Sequence, residues 1–427
     1  MVAAALAPGR PLADARPLGA RLFETRRLSL EIAAPLSAED MTVQAMDDAS
    51  PTKWHLAHTS WFFETFILAA HDPRYTPFDE AFAYCFNSYY ERLGARQPRP
   101  KRGLLTWPPL DRVLAYRDHV DRALDKLLAE QDPTPWRRLI EVGINHEQQH
   151  QELMLTDILA LFAANPLRPA YREAPPRARR EAREPMRWID FPGGVFPVGH
   201  AGDGFAFDNE GPRHDALIHP FRLADRLVTN GEWLAFMADG GYETPTLWLS
   251  DGWTTVEREN WRAPLYWERR DGAWLQMSLH GLQPLDDDAP VAHVSYYEAD
   301  AFARWAGKRL PTEFEWEVAA ATAPQEGNSL ATGALRPLPA GPSNGAPRQM
   351  FGDVWEWTQS AYLPYPGYRP PKGALGEYNG KFMVSQHVLR GGSCATPRGH
   401  ARATYRNFFY PHQRWQFLGL RLASEAA

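Results

Sequence analysis

Between residues 37 and 163 the apolar positions recur at i, i+3, i+4 spacing in four segments: "SAEDMTVQAMDD", "TKWHLAHTSWFFETFILAAH", "LDRVLAYRDHVDRALDKLLAEQ" and "WRRLIEVGINHEQQHQELMLTDILALFAA". Four amphipathic helices predict a helix bundle. Ser37 with Asp40, and Pro51 ahead of "TKWHLAH", supply helix starts by capping and proline logic. On the third segment Val113, Leu114, Val120, Leu124 and Leu127 form the buried stripe. The next stretch, "PLRPAYREAPPRARREAREPMR", is dense in Pro, Arg and Glu and predicts a linker. From Trp188 onward short apolar pieces alternate with Gly, Pro, Asp and Asn, and only "SYYEADAFARWAGK" and "NGEWLAFMADG" have a helical pattern. The pattern is α+β, with no repeat at solenoid periods. The expected division is a poorly ordered leader over 1–30, a helical domain over 31–164, a linker over 165–186 and a second domain over 187–427.

Composition narrows the class of protein. In 427 residues the formal net charge is only −6, so no basic excess calls for nucleic acid. Charge interrupts every apolar run well before the roughly 20 residues that a membrane span needs. The Ala-rich N-terminus lacks the basic and apolar regions of a signal peptide, and a cytoplasmic location is expected. Cys85 and Cys394 are too few for a disulfide framework and suit a reducing compartment. Aromatic residues make up 12% of the chain, with 16 Trp, enough for both a core and the walls of a site for a flat or cationic ligand.

The candidate chemistry lies in "GINHEQQHQELM". His146 and His150 stand at i, i+4, so both imidazoles project from one helix face and can share a metal. "HEQQH" also fits the H-E-x-x-H pattern of zinc proteases. Its continuation "QELMLTD" lacks the Gly and His of the extended pattern, and Glu173, the nearest downstream glutamate after Glu152, sits in the Pro-rich linker. A third ligand is better sought upstream in "SPTKWHLAHTSWFFE", where His55 or His58 can meet the pair across the bundle. Three imidazoles suit zinc, iron or copper. Gln149 points near such a metal as a hydrogen-bonding group.

These residues carry a resemblance. "SPTKWHLAHTSWFFETF", "FNSYYE", "RPKRGLL" and "NHEQQHQELMLTDI" resemble the sulfoxide synthases of ergothioneine biosynthesis, whose N-terminal domain is a DinB-like four-helix bundle. "FPGGVFPVGH", "HVSYYEADAFARWAGKRLPTEFEWEVAA", "MFGDVWEWTQS" and "VLRGGSCATP" resemble the formylglycine-generating-enzyme domain, a variant of the C-type lectin fold. The two cysteines do not supply that domain's reactive pair, so formylglycine formation is not expected.

The resemblance implies a non-haem Fe(II) enzyme, with O2 as co-substrate, that joins a thiol to C2 of the imidazole of N-alpha-trimethylhistidine (hercynine) and releases a sulfoxide. His58, His146 and His150 fall on the family's iron ligands, and His55 becomes a packing or hydrogen-bonding residue. Gln149 matches the glutamine that contacts the acceptor imidazole. Phe408, Phe409 and Trp415 lie where the family closes the acceptor pocket, and a trimethylammonium group favours aromatic faces. Tyr89 or Tyr90 of "FNSYY" matches the family's proton donor, and Arg99 or Arg102 is a candidate for the thiol substrate's carboxylate. Cysteine is the favoured donor, with gamma-glutamylcysteine or a selenium donor, as in selenoneine synthases, as alternatives. The remaining readings from other classes are a zinc hydrolase built on "HEQQH" and a catalytically silent binding module.

Overall fold

A computed structural model describes residues 16–175, 184–202 and 204–426. The described residues fall into two units. One comprises residues up to Glu173 together with Pro371–Tyr378, and the other comprises Ala174–Pro370 and the chain from Asn379.

The first unit is helical, built on α1 (Leu18–Ala33), α2 (Thr52–Phe63), α3 (Leu110–Glu130) and α4 (Arg137–Ala164). Helix α2 packs against α3 and α4, and α1 lies along α4. All twelve residues of α2 are buried, the pattern of a helix enclosed on every side. Its polar side chains therefore need partners inside the protein: Lys53 Nζ donates to Thr106 O and Ser60 Oγ to Leu56 O. Pro51 precedes α2, where its missing N–H removes nothing from the helix. A π-helical turn, Glu64–Leu68, and a last turn, Ala69–His71, continue α2 through the rest of its predicted segment.

Two expectations for this unit are corrected. The first helix is α1, which starts within the span expected to be leader and runs past its end, whereas "SAEDMTVQAMDD" forms turns. Ser37 and Asp40 do make reciprocal capping bonds, but the stretch has no continuous apolar face to carry a helix onward, and Val43 is exposed. In α3 the buried stripe is Val113, Tyr116, Arg117, Val120, Leu124 and Leu127, and Leu114 faces outward. The early part of the presumed linker also packs, since Tyr171 is buried and its hydroxyl donates to Ile32 O. Residues 1–15 and 176–183, the rest of the presumed leader and linker, lie outside or at the edge of the described residues.

The second unit mixes short helices with small sheets. Its strands are β1 (Trp188–Phe191), β2 (Gly194–Val198), β3 (His214–Ile218), β4 (Phe221–Ala224), β5 (Trp267–Arg270), β6 (Ala273–Ser278), β7 (Gly281–Pro284), β8 (Trp355–Ala361), β9 (His387–Arg390), β10 (Asn407–Phe409), β11 (Leu418–Gly419) and β12 (Ala423–Glu425). They pair in the orders β1-β4-β12, β10-β9-β8-β11, β2-β3 and β5-β6-β7, antiparallel except for β8 with β11. The two expected helices form as α5 (Asn230–Ala238) and α7 (Tyr296–Trp305). Two more, α6 (Ser250–Arg258) and α8 (Glu313–Ala320), complete the unit. Capping boxes at Thr229/Glu232, Ser295/Glu298 and Thr312/Glu315 start α5, α7 and α8. Trp316, Phe351, Phe221 and Leu223 share one core cluster, and buried pairs such as Arg421 with Glu356 tie loops to strands.

Candidate metal centre

Helix α2 supplies His58, and α4 supplies His146 and His150 one turn apart. One ligand atom from each of the three lies within 4.8 Å of the others, and all three side chains are buried. Gly143, one turn before His146, permits the close approach of α4 to α2. A Cβ there would sit 2.4 Å from Phe63 Cε1. His58 Nδ1–H donates to Phe86 O at 2.6 Å, which leaves its Nε2 lone pair facing His146 Nε2 at 3.2 Å. Two ligand nitrogens, each about 2.1 Å from one ion and roughly at a right angle, stand about 3 Å apart, so the donor set fits a metal. Trp54 and Trp61 stack against the His58 ring. Burial pushes His58 and His150 well below the usual imidazole range and His146 down to about 3, so all three imidazoles are neutral at physiological pH.

The glutamate of "HEQQH" does not belong to this site. Glu147 is fully buried, accepting from Arg26 Nη1 at 3.1 Å, from Ser29 Oγ at 2.7 Å and from Arg117. Burial works to raise its pKa, but Arg117 and Arg26 outweigh it and hold the carboxyl below the usual range. A carboxylate pinned by two guanidinium groups cannot serve as the general base that a zinc hydrolase needs, and that reading falls.

"FNSYY" is tied to the histidine cluster. A short helix, Phe82–Phe86, ends with orphan carbonyls, of which Cys85 O accepts from Trp54 Nε1 and Phe86 O from His58. Asn87 then exchanges hydrogen bonds with the backbone of Tyr90 and fixes the turn. Tyr90 points inward against Trp61 and Phe66 with no exposure, while Tyr89 is half-buried and stacks on it. Burial holds the Tyr90 phenol protonated, well above its ordinary pKa. The site also contains a residue that sequence reasoning missed. Tyr378 donates to Gln149 Oε1 and meets the rings of His146 and Tyr89 edge-on. The carboxylate of Glu377 accepts the backbone N–H groups of Glu91 and Arg92, each at 3.1 Å, and so fastens this segment to the tyrosine loop. No periodicity or spacing links positions so far apart.

Arg102 is buried, stacks on Trp54 at 3.4 Å, and donates to Ser50 Oγ and Ser88 Oγ. Burial, then Arg99 and Arg96, holds its pKa well below the usual value. Arg99 is exposed. The two serine bonds use one N–H on each terminal nitrogen of Arg102, whereas Arg99 faces solvent. Phe408, Phe409 and Trp415 lie in the second unit, where Phe408 stacks on Tyr362 and Phe409 meets Trp415 edge-on. Neither cysteine forms a disulfide; Cys394 is buried and Cys85 half-buried. No described helix is long and apolar enough to cross a membrane.

Comparison with known proteins places both units. A DinB superfamily model matches residues 21–154, starting within α1, and a model of the sulfatase-modifying factor enzyme 1-like domain matches 172–345 and 336–426. The chain is thus an α+β protein in which a DinB helical domain, holding a three-histidine cluster, precedes a formylglycine-generating-enzyme-like domain. It is 33% identical to the hercynine oxygenase of Mycolicibacterium thermoresistibile, over 95% of this chain and 94% of that one. Identity to the hercynine oxygenase of Mycobacterium tuberculosis is 35%, over 88% and 91% of the two chains. Ergothioneine biosynthesis protein 1 of Schizosaccharomyces pombe is 31% identical over 51% of this chain and 27% of its own. The chain belongs to the hercynine oxygenase family.

Proposed function

We propose that this protein is an Fe(II)-dependent, O2-using sulfoxide synthase that joins a thiol to C2 of the hercynine imidazole in ergothioneine biosynthesis. The observation that carries the proposal is the buried cluster of His58, His146 and His150 in a chain of this family. His58, His146 and His150 would hold the iron, which when bound supplies the redox activation of O2.

The chain's own groups do the rest. Gln149, already paired with Tyr378, offers its amide to the acceptor imidazole. Phe408, Phe409 and Trp415 are the candidates to face the trimethylammonium group, which attracts aromatic faces and donates no hydrogen bond. Arg99 and Arg102 make the donor's side basic, and cysteine, with its free carboxylate, is the favoured donor. Tyr90 holds a proton on a buried phenol, and Tyr89 and Tyr378 place two further phenols beside it. A phenol so placed delivers its proton during the oxidation and favours C–S bond formation over plain oxidation of the thiol.

The test is anaerobic reconstitution with Fe(II) and hercynine, started by O2 with cysteine, gamma-glutamylcysteine or a selenium donor in separate reactions. Sulfoxide from cysteine is the expected product. Product only from another donor corrects the donor, and no C–S or C–Se product from any of them overturns the proposal.

A further inference from the structure

His55 lies one helical turn from His58 on α2, outside the cluster of three, and its environment has a direction. Its Nε2 is 3.1 Å from Asp157 Oδ2, and its Nδ1 is 2.7 Å from Nδ1 of His150. Asp157 Oδ2 also accepts the backbone N–H of Ser50 at 2.8 Å. All three side chains of this chain of contacts are buried.

A carboxylate only accepts, so His55 Nε2 carries the proton and donates to Asp157. The remaining nitrogen of a neutral His55, Nδ1, is then an acceptor, so His150 Nδ1–H donates to it. The remaining nitrogen of a neutral His150, Nε2, is left with its lone pair free for a metal. We propose that Asp157 and His55 are positioning residues that fix His150 in the ligating tautomer and strengthen Nε2 as a donor, through a relay running His150 to His55 to Asp157. The inference rests on the reading of His58, His146 and His150 as a metal centre.

The relay has a polarity that substitutions can release or preserve. The Asp157 Oδ2 position faces two donors, Ser50 N–H and His55 Nε2–H, so Asp157→Asn, with its amide oxygen there, preserves the direction. Asp157→Leu removes the acceptor, which frees His55 to carry its proton on Nδ1, donate to His150 Nδ1 and leave the His150 proton on Nε2, where it blocks the metal. His55→Gln preserves the direction, because its carbonyl can accept from His150 while its amide donates to Asp157.

The experiment uses the full chain, stripped of metal, with ¹⁵N-labelled histidine. Long-range ¹H–¹⁵N spectra assign the His150 tautomer, and chelator competition under anaerobic conditions measures Fe(II) and Co(II) affinity. The expected result is an unprotonated Nε2 in the wild type and in Asp157→Asn, and a protonated Nε2 populated in Asp157→Leu. Metal affinity should fall about 10–100-fold in Asp157→Leu and stay near wild type in His55→Gln. A wild-type His150 protonated on Nε2, or Asp157→Leu with wild-type affinity, overturns the relay, as does His55→Gln losing as much affinity as Asp157→Leu. If Asp157→Leu does not fold, the wild-type tautomer and the His55→Gln affinity, set against His55→Leu, decide the matter. A wild type that binds no metal overturns the metal-centre reading, while its tautomer still tests the relay.

Discussion

At Gly143 two physical effects predict opposite signs for one substitution. Gly143→Ala in a helix interior should stabilise by about 1 kcal/mol on intrinsic propensity alone. The packing opposes this: the new Cβ would lie 2.4 Å and 2.6 Å from two carbons of the Phe63 ring and 3.0 Å from Phe62. Ordinary carbon contact is about 3.5–4.0 Å, so the ring or the helix must move by about 1 Å. Phe62 and Phe63 are both fully buried, which leaves the rings no solvent to retreat into. Overpacking of this kind costs about 1–3 kcal/mol, so the net expectation is a loss of up to about 2 kcal/mol. Because His146 follows one turn later, pushing α4 off α2 also separates it from His58 and weakens metal binding. The assay is urea unfolding of the full chain followed by circular dichroism, with metal affinity by chelator competition, for Gly143→Ala, Phe63→Leu and the double variant. Packing predicts a favourable coupling, with the smaller side chain at 63 relieving part of the Gly143→Ala loss. A Gly143→Ala protein that is more stable than wild type and binds metal unchanged would refute the packing account.

Four further outcomes are expected. His58→Ala, His146→Ala and His150→Ala should each abolish stoichiometric iron binding, while His55→Ala should still bind iron at saturation; full iron and activity in His58→Ala would sink the ligand assignment. Unmethylated histidine should be turned over far less efficiently than hercynine, because its ammonium prefers water and hydrogen-bond acceptors to aromatic walls, and equal kcat/KM would contradict this. Phe substitutions at Tyr89, Tyr90 and Tyr378 should keep iron but shift product from sulfoxide toward sulfinate, about tenfold for each 1.4 kcal/mol of lost preference. An unchanged product ratio in the triple variant would locate the donor elsewhere. In the second unit, burial lowers His293 to about 4 from an ordinary 6.5. The unfolded chain therefore binds more protons between those values, and stability present above pH 6.5 is lost as pH falls toward 4, by about 3 kcal/mol in all. His293→Asn, which tolerates the left-handed backbone (φ 63), should flatten that part of the pH–stability curve, and identical curves would refute the assignment.

Periodicity locates α2, α3 and α4 because their buried faces are mostly apolar, and the i, i+4 pair on α4 limits where a third ligand can come from. It misses α1 because that helix buries Arg26, Thr25 and Ser29 within its inner face, and Arg26 and Ser29 balance Glu147 rather than fill a greasy stripe. It misplaces the first helix at Ser37 because a capping pair marks a turn whether or not a helix follows. Leu114 looks like part of the α3 stripe, but Tyr116 and Arg117 take the inner face instead. The "TEFE" capping box at Thr312 marks the start of α8 in the sequence and carries more information there than hydrophobic spacing. Tyr378 and the link from His55 to Asp157 are long-range contacts that only the folded chain brings together.

The return of Pro371–Tyr378 to the helical unit has a consequence for how the protein is made. Gln149 and its hydroxyl partner are 229 positions apart. At about 5–20 residues per second of synthesis, the bundle and its three histidines leave the ribosome about 10–50 s before the segment that completes their surroundings. A nascent chain halted in that interval has its histidine cluster but lacks the phenol of Tyr378 and the Glu377 fastening. A gene cut after residue 173 would reproduce the same unfinished state permanently, so the helical half is not a module that can be transplanted alone with its chemistry intact.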